Sequence, residues 1–213
     1  MKKENILREE ICSIGSSLYS RGLTFGASGN ISVRLDDGGW LMTPTGSTMG
    51  NLDPAKLAHL SSDGILLSGD KPTKESFLHQ VMYQHRESAK AVVHLHSSHA
   101  AAVSCIECAD ASNVLPPLTA YYVMRVGKLP MVPYYPPGDL DLAKAVGELA
   151  GDHHAVLLAN HGPIVSGDSL ESALFATEEL EETAKLYLML NQYKTKPLNS
   201  EQIIELEKRF GGK

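Results

Sequence analysis

The sequence predicts an α/β fold: a single domain over residues 1–213 whose central sheet is mainly antiparallel and covered by helices. Three observations carry this expectation. Ala91-Val92-Val93 and Ala155-Val156-Leu157-Leu158-Ala159 are continuously apolar, as strands buried on both faces are, and each leads into a histidine. Asp36-Asp37-Gly38-Gly39 reads as a hairpin turn between Ile31–Leu35 and Trp40–Thr43, which pairs neighbouring strands antiparallel. Apolar residues at helical spacing recur before, between and after these strands. A chain of this length buries a substantial core without disulfide staples, and no internal repeat or low-complexity linker divides it.

In chain order, Ile6, Leu7, Ile11, Ile14 and Leu18 predict a helix over residues 4–21 that stops at Gly22. The small residues Thr24 to Asn30 form a loop ahead of the first strand, and Thr43-Pro44-Thr45-Gly46-Ser47 forms another after the second. Both loops offer backbone amides and hydroxyls to an anion such as phosphate, but taken alone the first reads rather as an ordinary connection from helix to strand, and the second suits a phosphate or a plain turn. Residues 56–67 predict a short strand pair around Ser61-Ser62-Asp63-Gly64. Pro72-Thr73-Lys74-Glu75 opens a helix with Thr73 as N-cap and Phe77, Leu78, Val81 and Met82 as its apolar stripe. Taken alone, this segment explains Glu75 as an acid favoured at a helix N-terminus and His79 as its partner on the helix surface.

Beyond the first histidine strand, a helical run extends to about Ala109. The prolines of the 116–137 stretch predict irregular, edge or interface structure. Residues 139–150 read as a helix, Ser169 to about Lys194 as a long amphipathic one, and the tail past Pro197 as one more short helix.

Composition excludes several functions. A net charge of −6 and the lack of a lysine or arginine run leave no electrostatic footprint for nucleic acid or a membrane surface. Met1-Lys2-Lys3-Glu4-Asn5 enters an amphipathic pattern rather than a long apolar one, so the expected location is the cytoplasm. Cys12, Cys105 and Cys108 are an odd set that suits a reducing compartment. The C-x-x-C of the last two reads as small core residues on one helix face, since no second cysteine pair accompanies it.

The chemistry centres on Ala91-Val92-Val93-His94-Leu95-His96. Residues two apart on a strand share a face, so His94 and His96 stand side by side. Two hydrogen-bonded core histidines would satisfy the pattern. A shared metal does so more cheaply, because burying two rings with nothing between them leaves several polar nitrogens to satisfy. A catalytic zinc usually has three protein ligands and an open position. His161, in Asn160-His161-Gly162 after the second apolar strand and ahead of a glycine turn, is the third candidate, or simply a turn residue. His59, His85, His99, His153 and His154 are expected to be surface or structural.

Taken in order, Ser28-Gly29-Asn30, Thr45-Gly46, Glu75, His94-x-His96 and Asn160-His161-Gly162 resemble the class II aldolase/adducin family over about residues 5–195. The resemblance implies one domain with an αβα class II aldolase-like fold. It implies a phosphate site at Ser28, Gly29, Asn30, Thr45, Gly46 and Thr73, an acid/base at Glu75, and one Zn2+ or other divalent ion such as manganese per subunit on His94, His96 and His161. Glu75 would be a fourth ligand when substrate is absent. It further implies a homotetramer with active sites at subunit contacts, for which the 116–137 region is a candidate.

Two departures sharpen the reading. Lys74 replaces the small hydroxyl residue of the aldolases, adding a cation that could hold an anionic substrate group. The segment from Leu115 to Gly127 lacks the aldolases' His-Tyr pair and looks instead like the 3-oxo-tetronate 4-phosphate decarboxylase branch, in which Tyr121 is preferred over Tyr122 as the assisting tyrosine. That branch implies zinc-dependent loss of CO2 from a phosphorylated four-carbon sugar acid, through a metal-stabilised enediolate, to give dihydroxyacetone phosphate. The alternatives are an aldolase cleaving a 1-phosphoketose such as fuculose 1-phosphate and, more distantly, a non-catalytic adducin-like interaction module. Glutamate at position 75, where the epimerase branch has aspartate, speaks against epimerisation.

Overall fold

The computed structural model describes residues 2–108, 110–136 and 138–210. Eight strands form one mixed sheet in the order β4-β3-β2-β1-β5-β8-β7-β6: β1 (Asn30–Arg34), β2 (Trp40–Met42), β3 (Ala58–Leu60), β4 (Leu66–Ser68), β5 (Ala91–His94), β6 (Met131–Val132), β7 (Ala155–Leu158) and β8 (Gly162–Gly167). Every pairing is antiparallel except β6 with β7, which is parallel.

Helices cover both faces. Val92, Val156, Leu158 and Ile164 pack with α2 (Ser76–His85) and α5 (Leu140–Ala150) on one side. On the other, Ile31, Val93 and Leu95 meet α1 (Lys2–Ser20), while Ala155, Leu157 and Val165 meet α3 (Ser98–Ser104), α4 (Ala120–Arg125) and the long α6 (Leu170–Leu190). Alternate residues of one strand thus serve opposite layers, which is why β5 and β7 are apolar without interruption. The chain closes with α7 (Ser200–Phe210), and among the described residues no helix is long and apolar enough to cross a membrane.

Several local expectations need correction. Glu75, not Thr73, occupies the N-cap of α2, with no side-chain capping bond. His79 is fully buried rather than on the helix surface. The run predicted to about Ala109 stops at Ser104, and Ala109 itself lies outside the described residues. Cys105 is exposed at the helix end and Cys108 half-buried beyond it, so the pair shares no helix face. The 116–137 stretch holds the short α4 and β6, with Pro137 outside the described residues. The glycine after His161 opens β8 instead of making the turn. The left-handed residue is Asn160, at φ 56°, and a methyl group on Gly162 would collide with the Leu95 carbonyl, so glycine serves a close approach of strands there.

Candidate metal centre and active site

Antiparallel pairing gathers the site at one end of the sheet. Asn30, the first residue of β1, stands opposite His94, the last of β5, and His161 directly precedes β8, which flanks β5 on its other side. The segment leading into α2 is tied to the same end: Thr45 N–H donates to the Lys71 carbonyl at 2.9 Å and Thr73 N–H to that of Thr43 at 3.3 Å. Residues far apart in sequence are thereby brought to one end of the sheet by backbone pairing.

The Nε2 atoms of three histidines form a triangle with edges of 3.1 Å (His94 to His96), 3.3 Å (His94 to His161) and 2.9 Å (His96 to His161). Glu75 closes the set, Oε1 lying 3.1 Å from His161 Nε2 and Oε2 3.5 Å from His94 Nε2. Tetrahedral coordination with bonds of about 2.05 Å has ligand-to-ligand edges of about 3.3 Å, so the cluster has the size of a single-ion site. His94 Nδ1–H donates to the Pro163 carbonyl at 2.8 Å, which leaves the neutral ring's Nε2 as a bare lone pair among two more ring nitrogens and a carboxylate.

The electrostatics agree. Burial works to raise the Glu75 carboxyl, but the His94 and His161 rings outweigh it and hold the group well below the usual carboxylate range. Burial, reinforced by the other two rings, drives His96 down to about 4. At His94 burial opposes a charge, yet the Glu75 carboxylate outweighs it, so the pair favours a positive charge between them. Ionised carboxylate and neutral imidazole are the ligand forms, and a divalent ion would supply positive charge among these four groups. Glu75 and His161 remain 17% and 16% exposed, enough for a small ligand to reach them.

The supports are specific. Glu181 of α6 accepts from the His99 and Ala100 backbone N–H groups at 3.0 and 2.8 Å and from the His99 ring, pinning the start of α3 just past His96. The far end of α3 holds the His161 turn, through Ser104 Oγ accepting from His161 N–H at 3.1 Å. Asn30 Nδ2 donates to Glu75 Oε2 at 2.8 Å, and Asn30 Oδ1 lies 2.5 Å from His79 Nε2. Neither Glu181 nor His79 stands out in the sequence as a site residue. The Glu75-x-x-x-His79 spacing was the available signal for the latter, and it suggested a surface pair instead.

The small loops lie alongside. Ser28 Oγ donates to the Phe25 carbonyl at 2.6 Å. Gly29 has φ 78°, and a Cβ there would crowd Leu95, the His94 carbonyl and Thr24. Gly46 borders open space, and Thr73 Oγ1 lies 3.4 Å from both Asn30 Nδ2 and Glu75 N. Asn30 has both amide groups engaged and is nearly fully buried, which sets it apart from the open Thr45, Gly46 and Lys74. The tyrosines stand elsewhere. Tyr121 is 60% exposed on α4, in a cleft with Arg125 and Phe175 whose lining contains none of the four metal-site groups. Tyr122 is buried in the core, its hydroxyl without a partner among the described residues and its pKa pushed above the usual tyrosine range by burial.

Three imidazoles and a carboxylate at the end of a mixed sheet, beside small polar loops, define the class: a fold whose site has the ligand set and size to fit one divalent ion. The chain belongs to the class II aldolase and adducin family, whose N-terminal domain model matches residues 9–188. It is 51% identical over 205 residues to the 3-oxo-tetronate 4-phosphate decarboxylase of Escherichia coli strain K12, covering 96% of this chain and 97% of that protein. It is 36% identical over 186 residues to an L-fuculose phosphate aldolase of Methanococcus maripaludis, covering 87% and 98%. The crystal structure of YgbL from Escherichia coli superposes with a TM-score of 0.94 at 50% identity, covering 95% of this chain and 98% of that one.

Proposed function

We propose that this protein is a carbon–carbon lyase that decarboxylates a 3-oxo-tetronate 4-phosphate to dihydroxyacetone phosphate and CO2, in the cytoplasmic breakdown of four-carbon sugar acids. The observation that carries this is the 51% identity, over nearly the full length of both chains, to a relative of that name, joined to a Glu/His cluster of single-ion size. The residues fit zinc: His94, His96 and His161 would hold it, with Glu75 as a fourth ligand until substrate arrives. A bound ion would supply Lewis-acid polarisation of the substrate's carbonyl oxygen.

The remaining work falls to the chain. Ser28, Gly29, Thr45, Gly46 and Thr73 surround the phosphate with amides and hydroxyls, Asn30 bracing that loop from beneath. Lys74 holds an anionic group at the mouth. The bond between the carboxyl carbon and C2 breaks, CO2 departs, and the electron pair left behind delocalises onto the 3-oxo group. Glu75, displaced by substrate and having taken up a proton from solvent, then delivers that proton to C2, completing dihydroxyacetone phosphate and returning to the carboxylate. Tyr121 opens on a cleft that none of the four metal-site groups of its own chain lines, and we assign it to the site of a neighbouring subunit in a homotetramer.

The test is to incubate the zinc-loaded protein with 3-oxo-tetronate 4-phosphate and follow both products. Equal amounts of CO2 and dihydroxyacetone phosphate are expected. Neither product, with metal fully bound, overturns the reading and leaves the aldolase one, favoured by the Methanococcus relative; release of an aldehyde from a 1-phosphoketose would establish it.

A further inference from the structure

We propose that His79 is a positioning residue for Glu75: held as its Nε2–H tautomer, it locks the Asn30 amide so that one carboxylate oxygen is occupied and the other is left for chemistry. This inference rests on the reading of Glu75 as proton carrier. The direction of each hydrogen bond follows from its neighbour. A carboxylate only accepts, so Asn30 Nδ2 donates to Glu75 Oε2 and Oδ1 turns to His79. Oδ1 only accepts, so His79 Nε2 carries the hydrogen. The neutral ring's Nδ1 is then bare and accepts from the Ser32 hydroxyl at 2.7 Å, whose oxygen accepts in turn from the Tyr83 hydroxyl at 2.7 Å.

Four hydrogen bonds therefore run one way, from Tyr83 to the carboxylate. Reversing the Asn30 amide would set its oxygen against Glu75 and its NH2 against the His79 N–H, two repulsive contacts in a buried place. With Oε2 taken, Oε1, 3.1 Å from His161 Nε2, is the oxygen that faces the ion site and the substrate. Two periodicities build the chain: Glu75, His79 and Tyr83 recur every four residues along α2, and Asn30 and Ser32 share one face of β1. His79 and Ser32 are fully buried and Asn30 is 2% exposed, so water offers no substitute partner.

The first experiment needs no substrate. Imidazole 15N–1H correlation spectra of the metal-loaded full chain, with His79 assigned by its absence from His79→Gln, should show the Nε2–H tautomer; the Nδ1–H tautomer overturns the inference. The second compares His79→Leu, His79→Gln and Tyr83→Phe, with metal content and Tm measured for each. In His79→Leu, kcat should fall about 10- to 100-fold with KM and metal content little changed. His79→Gln, whose amide nitrogen can reach the Nε2 position, should recover most of kcat. Tyr83→Phe leaves Ser32 able to donate and should keep kcat near wild type. An unchanged kcat in His79→Leu, or losses that follow Tm rather than position in the chain, overturns the proposal. Wild-type protein inactive on 3-oxo-tetronate 4-phosphate would overturn the proposed reaction instead, and the His79 tautomer would still decide this inference.

Discussion

Two groups of buried histidine chemistry lie on either side of Asn30, and they are built on opposite principles. In the His94, His96, His161 and Glu75 cluster, acceptors face acceptors: ring nitrogens sit 2.9 to 3.3 Å from one another around a carboxylate. In the Tyr83, Ser32, His79 and Asn30 chain, every donor meets an acceptor. The first set is incomplete without a cation and the second is complete by itself. A buried histidine is thus marked as a ligand by what its nitrogens face, not by burial, since His79 and His94 are equally inaccessible.

The harshest way to break the comparison is to remove what completes the first set. His161→Ala, chosen because this ring is partly exposed, should lower metal content and cut kcat/KM by about 10³-fold or more, as loss of several kcal/mol of Lewis-acid stabilisation implies. Chelation of the wild-type protein should do the same reversibly. Activity that survives complete metal removal would refute the single-ion reading. Next comes Glu75→Gln, which removes charge and proton but keeps shape. It should spare most metal, because three imidazoles remain, while turnover falls by about 10²- to 10⁴-fold. Full activity in that variant would remove Glu75 from the chemistry.

The same comparison shows why the sequence disclosed some parts and hid others. Strand parity predicted His94 beside His96, although β5 ends at His94 and His96 lies just past it, and continuous apolar runs marked β5 and β7, because period two and two-sided burial leave direct traces in residue order. β8 left none: Gly162 read as a turn, and only the approach of Leu95's carbonyl explains the glycine. His79 went unrecognised for a related reason. Its spacing from Glu75 suits a surface ion pair, and nothing in α2 alone reveals that β1 buries it against Asn30 and Ser32. Glu181 is one acid among several in α6, distinguished only by the α3 backbone it caps.

A smaller effect separates the two sets by pH. Burial, with the nearby His94 ring, holds His79 at about 3 in the folded protein, far below an unfolded histidine near 6.5. Between those values the unfolded chain binds the extra proton, so His79 contributes full stability above about pH 6.5, a contribution lost as pH falls toward 3. From pH 7 to pH 5 the wild-type protein should lose about 2 kcal/mol more unfolding free energy than His79→Gln, from denaturant titrations at both pH values. Equal losses would mean that His79 is charged or accessible in the folded state.

The smallest effect belongs to a residue in neither set. Lys74 is exposed beside Glu75, so its charge acts through solvent. Lys74→Met should raise KM by about fivefold, the worth of about 1 kcal/mol from an exposed charge contact, while kcat stays near wild type. Added salt should shrink the difference, because exposed charges are screened and the buried sets are not. Product inhibition by dihydroxyacetone phosphate, which keeps the phosphate but lacks the carboxylate, identifies the group that Lys74 holds. Weakened inhibition in Lys74→Met points to the phosphate, and unchanged inhibition with a raised substrate KM points to the carboxylate. An unchanged KM would strip Lys74 of any role in binding, leaving substrate recognition to the loops and to the Glu75 and histidine cluster.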